Sequence, residues 1–232
     1  MKNTNNIPLF ILCIIVGISI LTYVYLKNPK DQQIDSWLIE DINNLIYRAY
    51  KKFDIESTQL IHEPLYIIVP EIIDVANTPV LFKIGKDKKI RFTPISITII
   101  FLLKNHLLVY VCILDFISGN ILNEKTYEYL YKDIISVETI SESAAYNVPK
   151  IGIVQLKESE YFKITTSGGT SLKILVNDKK LFDIFIQLYR YKIPYLNKIL
   201  IDLLFSNKGF FYPVNPEDIV QKIRKVLREK KV

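Results

Sequence analysis

Short apolar runs rich in β-branched and aromatic residues fill most of the chain between Leu65 and Val176, and they constrain its fold more than any other feature. Such side chains pack well on a pleated surface, so each run favours a β-strand. Turn-forming residues separate the runs, notably at Gly85–Lys88, Ser118–Asn120 and Ser167–Thr170. The predicted strands are Leu65–Val69, Val80–Ile84, Ile90–Thr93, Ser96–Leu103, Leu107–Phe116, the alternating stripe Tyr127–Tyr131, Ile134–Ile140, Ile151–Leu156, Tyr161–Thr166 and Ser171–Val176. Because a meander must protect its edges, the pattern predicts a mainly antiparallel barrel or sandwich.

Helices are predicted on both sides of these strands. Apolar residues recur at helical spacing over residues 32–53, and again over Asp178–Tyr191 and Tyr195–Phe205. A last helix is predicted after Asn215, which can cap it, because Pro216 suits a first helical turn. Basic residues gather at the end of this helix, where cations are favourable. The predicted fold class is therefore α+β, with helices flanking the β domain.

An uncharged apolar run of twenty residues, Ile7 to Leu26, precedes these elements. A helix of this length spans about 30 Å, the thickness of the hydrocarbon core of a bilayer. The run therefore predicts an N-terminal transmembrane helix that acts as a signal anchor. A cleaved signal peptide is the alternative, although no A-x-A cleavage site follows the run.

The predicted location is the bacterial cell membrane, which the chain would cross once. Lys2 and the α-amino group on one side of the apolar run, and Lys27 and Lys30 on the other, give almost equal flanking charge. Cys112 has no suitable disulfide partner, which favours a reducing compartment. We therefore expect the folded domain to face the cytoplasm. The predicted organisation is an anchor over residues 1–26, a juxtamembrane amphipathic helix within 27–64, a β-rich domain over 65–192 and C-terminal helices over 193–232.

The order of elements resembles that of pleckstrin-homology-like domains, in which a bent barrel is capped by a C-terminal helix. Four stretches are also similar to those of uncharacterised, membrane-anchored bacterial proteins. They are IGKDKKIRFTP (84–94), LDFISGNILNEKTYEYLYKDIISVET (114–139), FKITTSGGTSLKI (162–174) and IRKVLREKK (223–231). This resemblance implies a membrane-tethered β module, and it supplies no catalytic residues.

A basic run around one predicted hairpin is the candidate binding site. It consists of Lys83, Lys86, Lys88, Lys89 and Arg91. Each cation near an anionic surface contributes about 1 kcal/mol, so the run can contact anionic lipid headgroups or a protein partner. The alternative is an ordinary solvated face, since lysine is common on hairpin tips and Asp87 interrupts the run. The cationic C-terminal helix is the second expected contact surface.

Motifs for catalysis, metals and nucleic acids are missing from the sequence. His62 and His106 share no metal-binding spacing with each other or with Cys112, and the Gly168–Gly169 pair lies in a hairpin turn and not in a phosphate loop. The net charge of +6 is modest for a nucleic-acid binder, and alternating tyrosines are typical of sheet packing. We therefore expect a non-catalytic module that needs no cofactor and binds the membrane surface or a protein partner. The alternatives are a membrane-associated enzyme of unknown substrate and an outward-facing component of a cell-envelope assembly.

Overall fold

Antiparallel strands account for most of the structure, a computed structural model that describes residues 16–17, 19, 29–71, 80–148, 152–177, 209–210 and 215–230. The elements of these residues are α1 (Asp31–Phe53), β1 (Leu65–Pro70), β2 (Leu81–Ile84), β3 (Lys89–Thr93), β4 (Ile95–Leu102), β5 (His106–Asp115), β6 (Asn120–Leu130), β7 (Ile134–Val148), β8 (Gly152–Thr166), β9 (Ser171–Asn177), β10 (Gly209–Phe210) and α2 (Pro216–Lys230). The chain divides into two compact units, residues 1–40 and 41–232. The first unit contains the beginning of α1. The second unit contains the remaining turns of α1 and all the elements from β1 to α2.

The strands form three sheets, with the orders β1-β4-β5-β6, β7-β8-β9 and β10-β3-β2. All neighbours are antiparallel except β10 and β3, which are parallel. One face of the four-stranded sheet packs on the C-terminal turns of α1. The ring of Phe101 on this face lies 5.0 Å from that of Tyr50 and 6.0 Å from that of Phe53, measured between centroids. Aromatic pairs at these separations add to the hydrophobic effect of burying the helix.

The main core lies on the opposite face of the four-stranded sheet. Leu65, Ile67, Ile100, Leu102, Leu107 and Val109 from that sheet pack with Phe162, Ile164, Leu172 and Ile174 from the β7-β8-β9 sheet and with Ile219, Val220, Ile223, Val226 and Leu227 from α2. Helix α2 begins at Pro216, and the backbone N–H of Glu217 donates to Oδ1 of Asn215 at 3.2 Å. The predicted cap of this helix is therefore confirmed, and its apolar residues form a buried stripe.

One predicted break between strands is absent. Residues 151–156 and 161–166 were expected to be separate strands, but β8 runs without interruption from Gly152 to Thr166 and pairs with an equally long β7. The intervening sequence Lys157–Glu160 is polar but contains no glycine or proline. Polar residues continue an extended strand readily, whereas glycine and proline interrupt it. The helices predicted over 178–191 and 195–205 lie outside the described residues.

The prediction of an N-terminal transmembrane helix is wrong. Among the described residues, no helix is both long enough and apolar enough to cross a membrane. Helix α2 has only 15 residues, and the 23 residues of α1 include charged side chains on several turns. Most of the apolar run 7–26 lies outside the described residues. In the described residues the fold is mostly antiparallel β, with the helices α1 and α2. The single-pass location in a bacterial cell membrane, with the domain facing the cytoplasm, is corrected together with the anchor from which it was derived.

Candidate functional site

The predicted basic site forms a real hairpin, but its five cations occupy different environments. Strands β2 and β3 pair antiparallel, with Lys83 opposite Arg91, and the turn between them carries the other lysines. The side chains of Lys86, Lys88 and Lys89 are exposed, Lys83 is half-buried and Arg91 is buried. The hairpin therefore presents a tip of three lysines, which we call the lysine tip, and keeps its arginine inside.

Arg91 is held by Asp87. The guanidinium donates from Nη1 to Oδ1 and from Nη2 to Oδ2, both at 3.0 Å, and Oδ1 also accepts from the backbone N–H of Lys89 at 3.1 Å. The hydrogen bonds from Arg91 lower the pKa of Asp87 to about 2. This two-point pairing is the strong geometry for an arginine and a carboxylate. The sequence indicates this pair, because an aspartate precedes the arginine by four residues across a turn. The prediction that Arg91 belongs to the binding site with the lysines did not take Asp87 into account as its partner.

A second charged cluster, which sequence reasoning missed, joins α1 to β5 and β6. Its centre is Glu124 on β6. Arg48 Nε donates to Glu124 Oε1 at 2.7 Å, Lys52 Nζ lies 2.6 Å from Oε2, and the hydroxyl of Tyr110 donates to Oε1 at 2.5 Å. The hydrogen bonds from Arg48, followed by those from Lys52 and Tyr110, lower the pKa of Glu124 to about 2.

The Glu124 cluster stabilises the contact between α1 and the sheet. Tyr110 is completely buried and burial raises its pKa, so its hydroxyl keeps its proton. Burial also raises the pKa of the neighbouring Cys112 thiol to about 12, which leaves almost no nucleophilic thiolate at neutral pH. Each polar group of the cluster is used by another group of the cluster. Because Arg48 and Lys52 lie on α1, the cluster fixes the C-terminal half of that helix to the sheet.

A groove lies between α2 and β7. It encloses a cavity of about 300 Å³ lined by Val137, Arg224, Leu227 and Arg228. Arg224 Nη2 donates to the hydroxyl oxygen of Thr139 on β7 at 2.5 Å. Strand β7 is the first strand of its sheet, and none of the described strands pairs with its outer side. The cationic C-terminal helix was expected to be a contact surface, but no sequence pattern indicated which strand edge would lie beside it.

A larger cavity, of about 430 Å³, lies beside α1, but its polar groups have mixed charge and include Asp41, Arg48 and Lys51. Arg48 is already bound to Glu124, and Lys51 Nζ lies 4.5 Å from the centroid of the Tyr47 ring. This cavity therefore offers no convergent set of groups for one ligand. Within the described part of the chain, no three His, Cys, Asp or Glu side chains are grouped as metal ligands would be.

Comparisons of this chain with protein-family models, with curated proteins and with solved structures found no match. The resemblance to pleckstrin-homology-like domains and to membrane-anchored bacterial proteins therefore stays a prediction. Function has to be argued from the residues and their geometry.

Proposed function

We propose that this chain is a non-catalytic binding module that presents the groove between β7 and α2 to a protein partner. The outer edge of β7, with which none of the described strands pairs, is the observation that carries the proposal, because an edge strand is a ready template for pairing with another chain. Arg224, Arg228 and Leu227 border this edge, and they combine two cations with an apolar floor. Protein-binding surfaces commonly combine such features, and arginine is enriched in them.

The β2-β3 hairpin is a weaker candidate for binding a protein partner. Its Arg91 is buried against Asp87, so a ligand meets only the lysine tip. Flexible exposed lysines bind as separate point charges and specify little geometry. The groove, in contrast, has two arginines that α2 holds next to a strand.

Selection of peptides tests the proposal. Peptides that bind the full-length chain are selected from a phage-displayed library of random linear peptides. Amide hydrogen exchange of the chain is then measured with and without each selected peptide, made synthetically. We expect bound peptides to slow exchange in residues 136–142 of β7. Val137→Arg, which fills the groove, should abolish this binding. Ile135→Arg is the matched control, because Ile135 lies on the same strand, is 61% exposed and does not line the cavity. Winners that protect other residues only, or no winner at all, would refute the proposal.

A second candidate surface is the lysine tip, which three exposed cations on one turn favour as a contact for anionic headgroups. Each lysine near such a surface contributes about 1 kcal/mol, so replacing all three should weaken binding by roughly a hundredfold. The measurement is cosedimentation of the triple variant Lys86→Gln, Lys88→Gln, Lys89→Gln with vesicles rich in phosphatidylglycerol. The triple variant Lys125→Gln, Lys132→Gln, Lys222→Gln is the control, since it removes the same charge from exposed positions outside the hairpin. Equal sedimentation of the triple variant and the parent chain would remove this candidate.

A further inference from the structure

We infer that the groove takes an extended segment of a partner protein that adds as a strand to β7 and places alternate acidic side chains on Arg224 and Arg228. This inference rests on the proposed function, because it names the chemistry of the partner for the same groove. It follows from three separate features: the regularity of β7, the spacing of the two arginines and the charges on the opposite face of the strand.

Strand β7 offers one straight segment for pairing. Its register with β8 shifts between Ile134 and Ser136 and again between Glu142 and Ala144, and it is regular from 136 to 142. Seven residues at about 3.3 Å each give roughly 23 Å of straight edge. Alternate residues of an edge strand direct their N–H and C=O groups away from the sheet. The bulges at both ends bend the strand, so the docking segment is limited to this length.

The side chains at alternate positions of this segment face α2. Val137 lines the groove, and Thr139, two residues later, receives the hydrogen bond from Arg224. A strand added at the outer side of β7 therefore also directs every second side chain toward the two arginines. Val137 and Thr139 are themselves neutral, so Arg224 and Arg228 have no carboxylate from these positions of β7.

The spacing of the arginines matches that of an added strand. Arg224 and Arg228 are four residues apart on α2, which corresponds to about 6 Å along a helix. Side chains on one face of a strand repeat at about 6.7 Å. A strand that ran along α2 could therefore place acidic side chains at positions i and i+2 beside one guanidinium each. A guanidinium binds a carboxylate through two parallel hydrogen bonds, which makes acidic residues the favoured occupants.

The partner's side chains on the other face of the sheet, beside Glu138 and Glu142, should be of a different type. Glu138 and Glu142 lie on that face, where Ser136 Oγ donates to Glu138 at 2.6 Å and Lys173 pairs with Glu142. Like charges that face each other across strands are destabilising. The intervening side chains of the partner segment should therefore be neutral or basic. A second copy of β7 does not fit, because Val137 and Thr139 would then be the side chains placed on the arginines.

The test uses fluorescein-labelled peptides and fluorescence anisotropy with the full-length chain. One peptide alternates Glu with Thr, a second alternates Gln with Thr, and a third has the composition of the first but with all its Glu residues adjacent. We expect the alternating Glu peptide to bind most tightly, and about tenfold or more tighter than the Gln peptide, because bonds to charged groups are the stronger ones. The adjacent arrangement should lose most of this advantage.

Substitutions on α2 identify the residues that read the charge. Arg224→Gln and Arg228→Gln should each weaken binding of the alternating Glu peptide by about three- to tenfold, because each removes one ion pair. Lys225→Gln is the matched control. It removes the same charge from an exposed position of the same helix that does not line the groove, and its effect should be less than about twofold. Arg224→Lys should recover only part of the loss, since lysine keeps the charge but not the two-point geometry.

N-methylation of the peptide tests strand addition itself. Methyl groups on the amides of one alternating set should abolish binding, whereas the same number on the other set should have little effect, because only one edge of the peptide pairs with β7. Equal binding of the Glu and Gln peptides, or of both methylated peptides, would overturn the inference. So would protection, in the free chain, of those amides of residues 136–142 that point away from β8, or protection of them that increases with protein concentration. If selected peptides protect β7 without regard to their charge, the proposed function stands and only the acidic partner is refuted.

Discussion

At the scale of single residues, two clusters of charged side chains stabilise the fold. Glu124 receives three donors from two elements, and Arg91 is buried against one aspartate. The two arrangements differ in how far the sequence indicates them. The partners Arg48 and Glu124 are 76 residues apart, so no local pattern predicts their contact. In contrast, Asp87 and Arg91 are close in sequence, and turn chemistry could have predicted that pair.

Cys112 gives a residue-scale prediction. Its side chain is 1% exposed and burial raises the pKa of its thiol to about 12, so alkylating reagents should reach it only when the domain unfolds. In the Cys13→Ser variant, Cys112 is the single thiol. Its labelling by iodoacetamide should be roughly a thousandfold slower than that of an exposed cysteine, and urea should accelerate it. The measurement is the labelling rate by mass spectrometry.

The control for Cys112 is an exposed thiol in the same chain. Lys132→Cys in a background that lacks both natural cysteines should be labelled rapidly, because Lys132 is exposed. Rapid labelling of Cys112 in the folded protein would contradict the burial that the structure gives it.

At the scale of elements, the sequence correctly predicted features that depend on the local pattern of residues. Residues 32–53 were expected to form a helix, and α1 covers 31–53; the turn over Gly85–Lys88 and the cap at Asn215 were also predicted correctly. The register of β7 against β8 and the approach of α2 to the edge of β7 depend on tertiary packing. For that reason the sequence indicated α2 as a contact surface but not the groove that it forms with β7.

The β2-β3 hairpin gives an element-scale prediction. Asp87→Asn removes the carboxylate that pairs with Arg91 and leaves a buried guanidinium without its strongest partner. We expect the free energy of unfolding to fall by about 1–2 kcal/mol, because removing the partner of a buried arginine costs more than loss of a fully exposed pair. Lys88→Gln, at an exposed position of the same turn, should change it by less than about 0.5 kcal/mol. Urea denaturation measures both variants, and equal stabilities would contradict the structural role of Asp87.

The packing of α2 gives a second prediction at this scale. Ile223 is completely buried in the core that α2 forms with the four-stranded sheet and the β7-β8-β9 sheet. Ile223→Ala should lower the free energy of unfolding by about 2–5 kcal/mol, through lost burial and the cavity that it leaves. Lys222→Ala, on the exposed side of the same helix, should cost less than about 0.5 kcal/mol. If the two variants had equal urea midpoints, α2 would not be docked on the core as described.

At the scale of the whole molecule, two layers pack on opposite faces of the four-stranded sheet. The C-terminal turns of α1 cover one face, and the β7-β8-β9 sheet with α2 covers the other. Within the second unit, the pairing between β1 and β4 joins residues that are distant in sequence, such as Leu65 and Ile100, whereas β7 and β8 are consecutive strands that pair along their whole length. Burial of both faces explains why β4 and β5 consist of nearly continuous apolar residues and do not alternate with polar ones.

The stability of the whole molecule should fall in acid. Glu124 and Asp87 both have a pKa of about 2 in the folded protein, below their ordinary values near 4. Burial alone would raise the pKa of Asp115, but the hydrogen bonds that it accepts, from Ser118 and Thr93 among others, together lower it. The unfolded chain therefore binds protons more readily than the folded protein does. The stabilisation is complete above about pH 5 and is lost as the pH falls toward about 2. Urea denaturation across this range should show a constant free energy of unfolding from neutral pH to about pH 5 and then a decline.

Glu124→Gln separates the contribution of one carboxylate from the rest of this decline. The variant cannot be protonated at this position, so it should be less stable than the parent chain by about 2 kcal/mol at neutral pH and nearly equal to it near pH 2. Glu128→Gln is the matched control, because Glu128 lies on the same strand with a side chain that is 61% exposed, and it should leave the decline almost unchanged. If Glu124→Gln ran parallel to the parent chain across the whole range, the carboxylate of Glu124 would not be the anchor that holds Arg48, Lys52 and Tyr110 together.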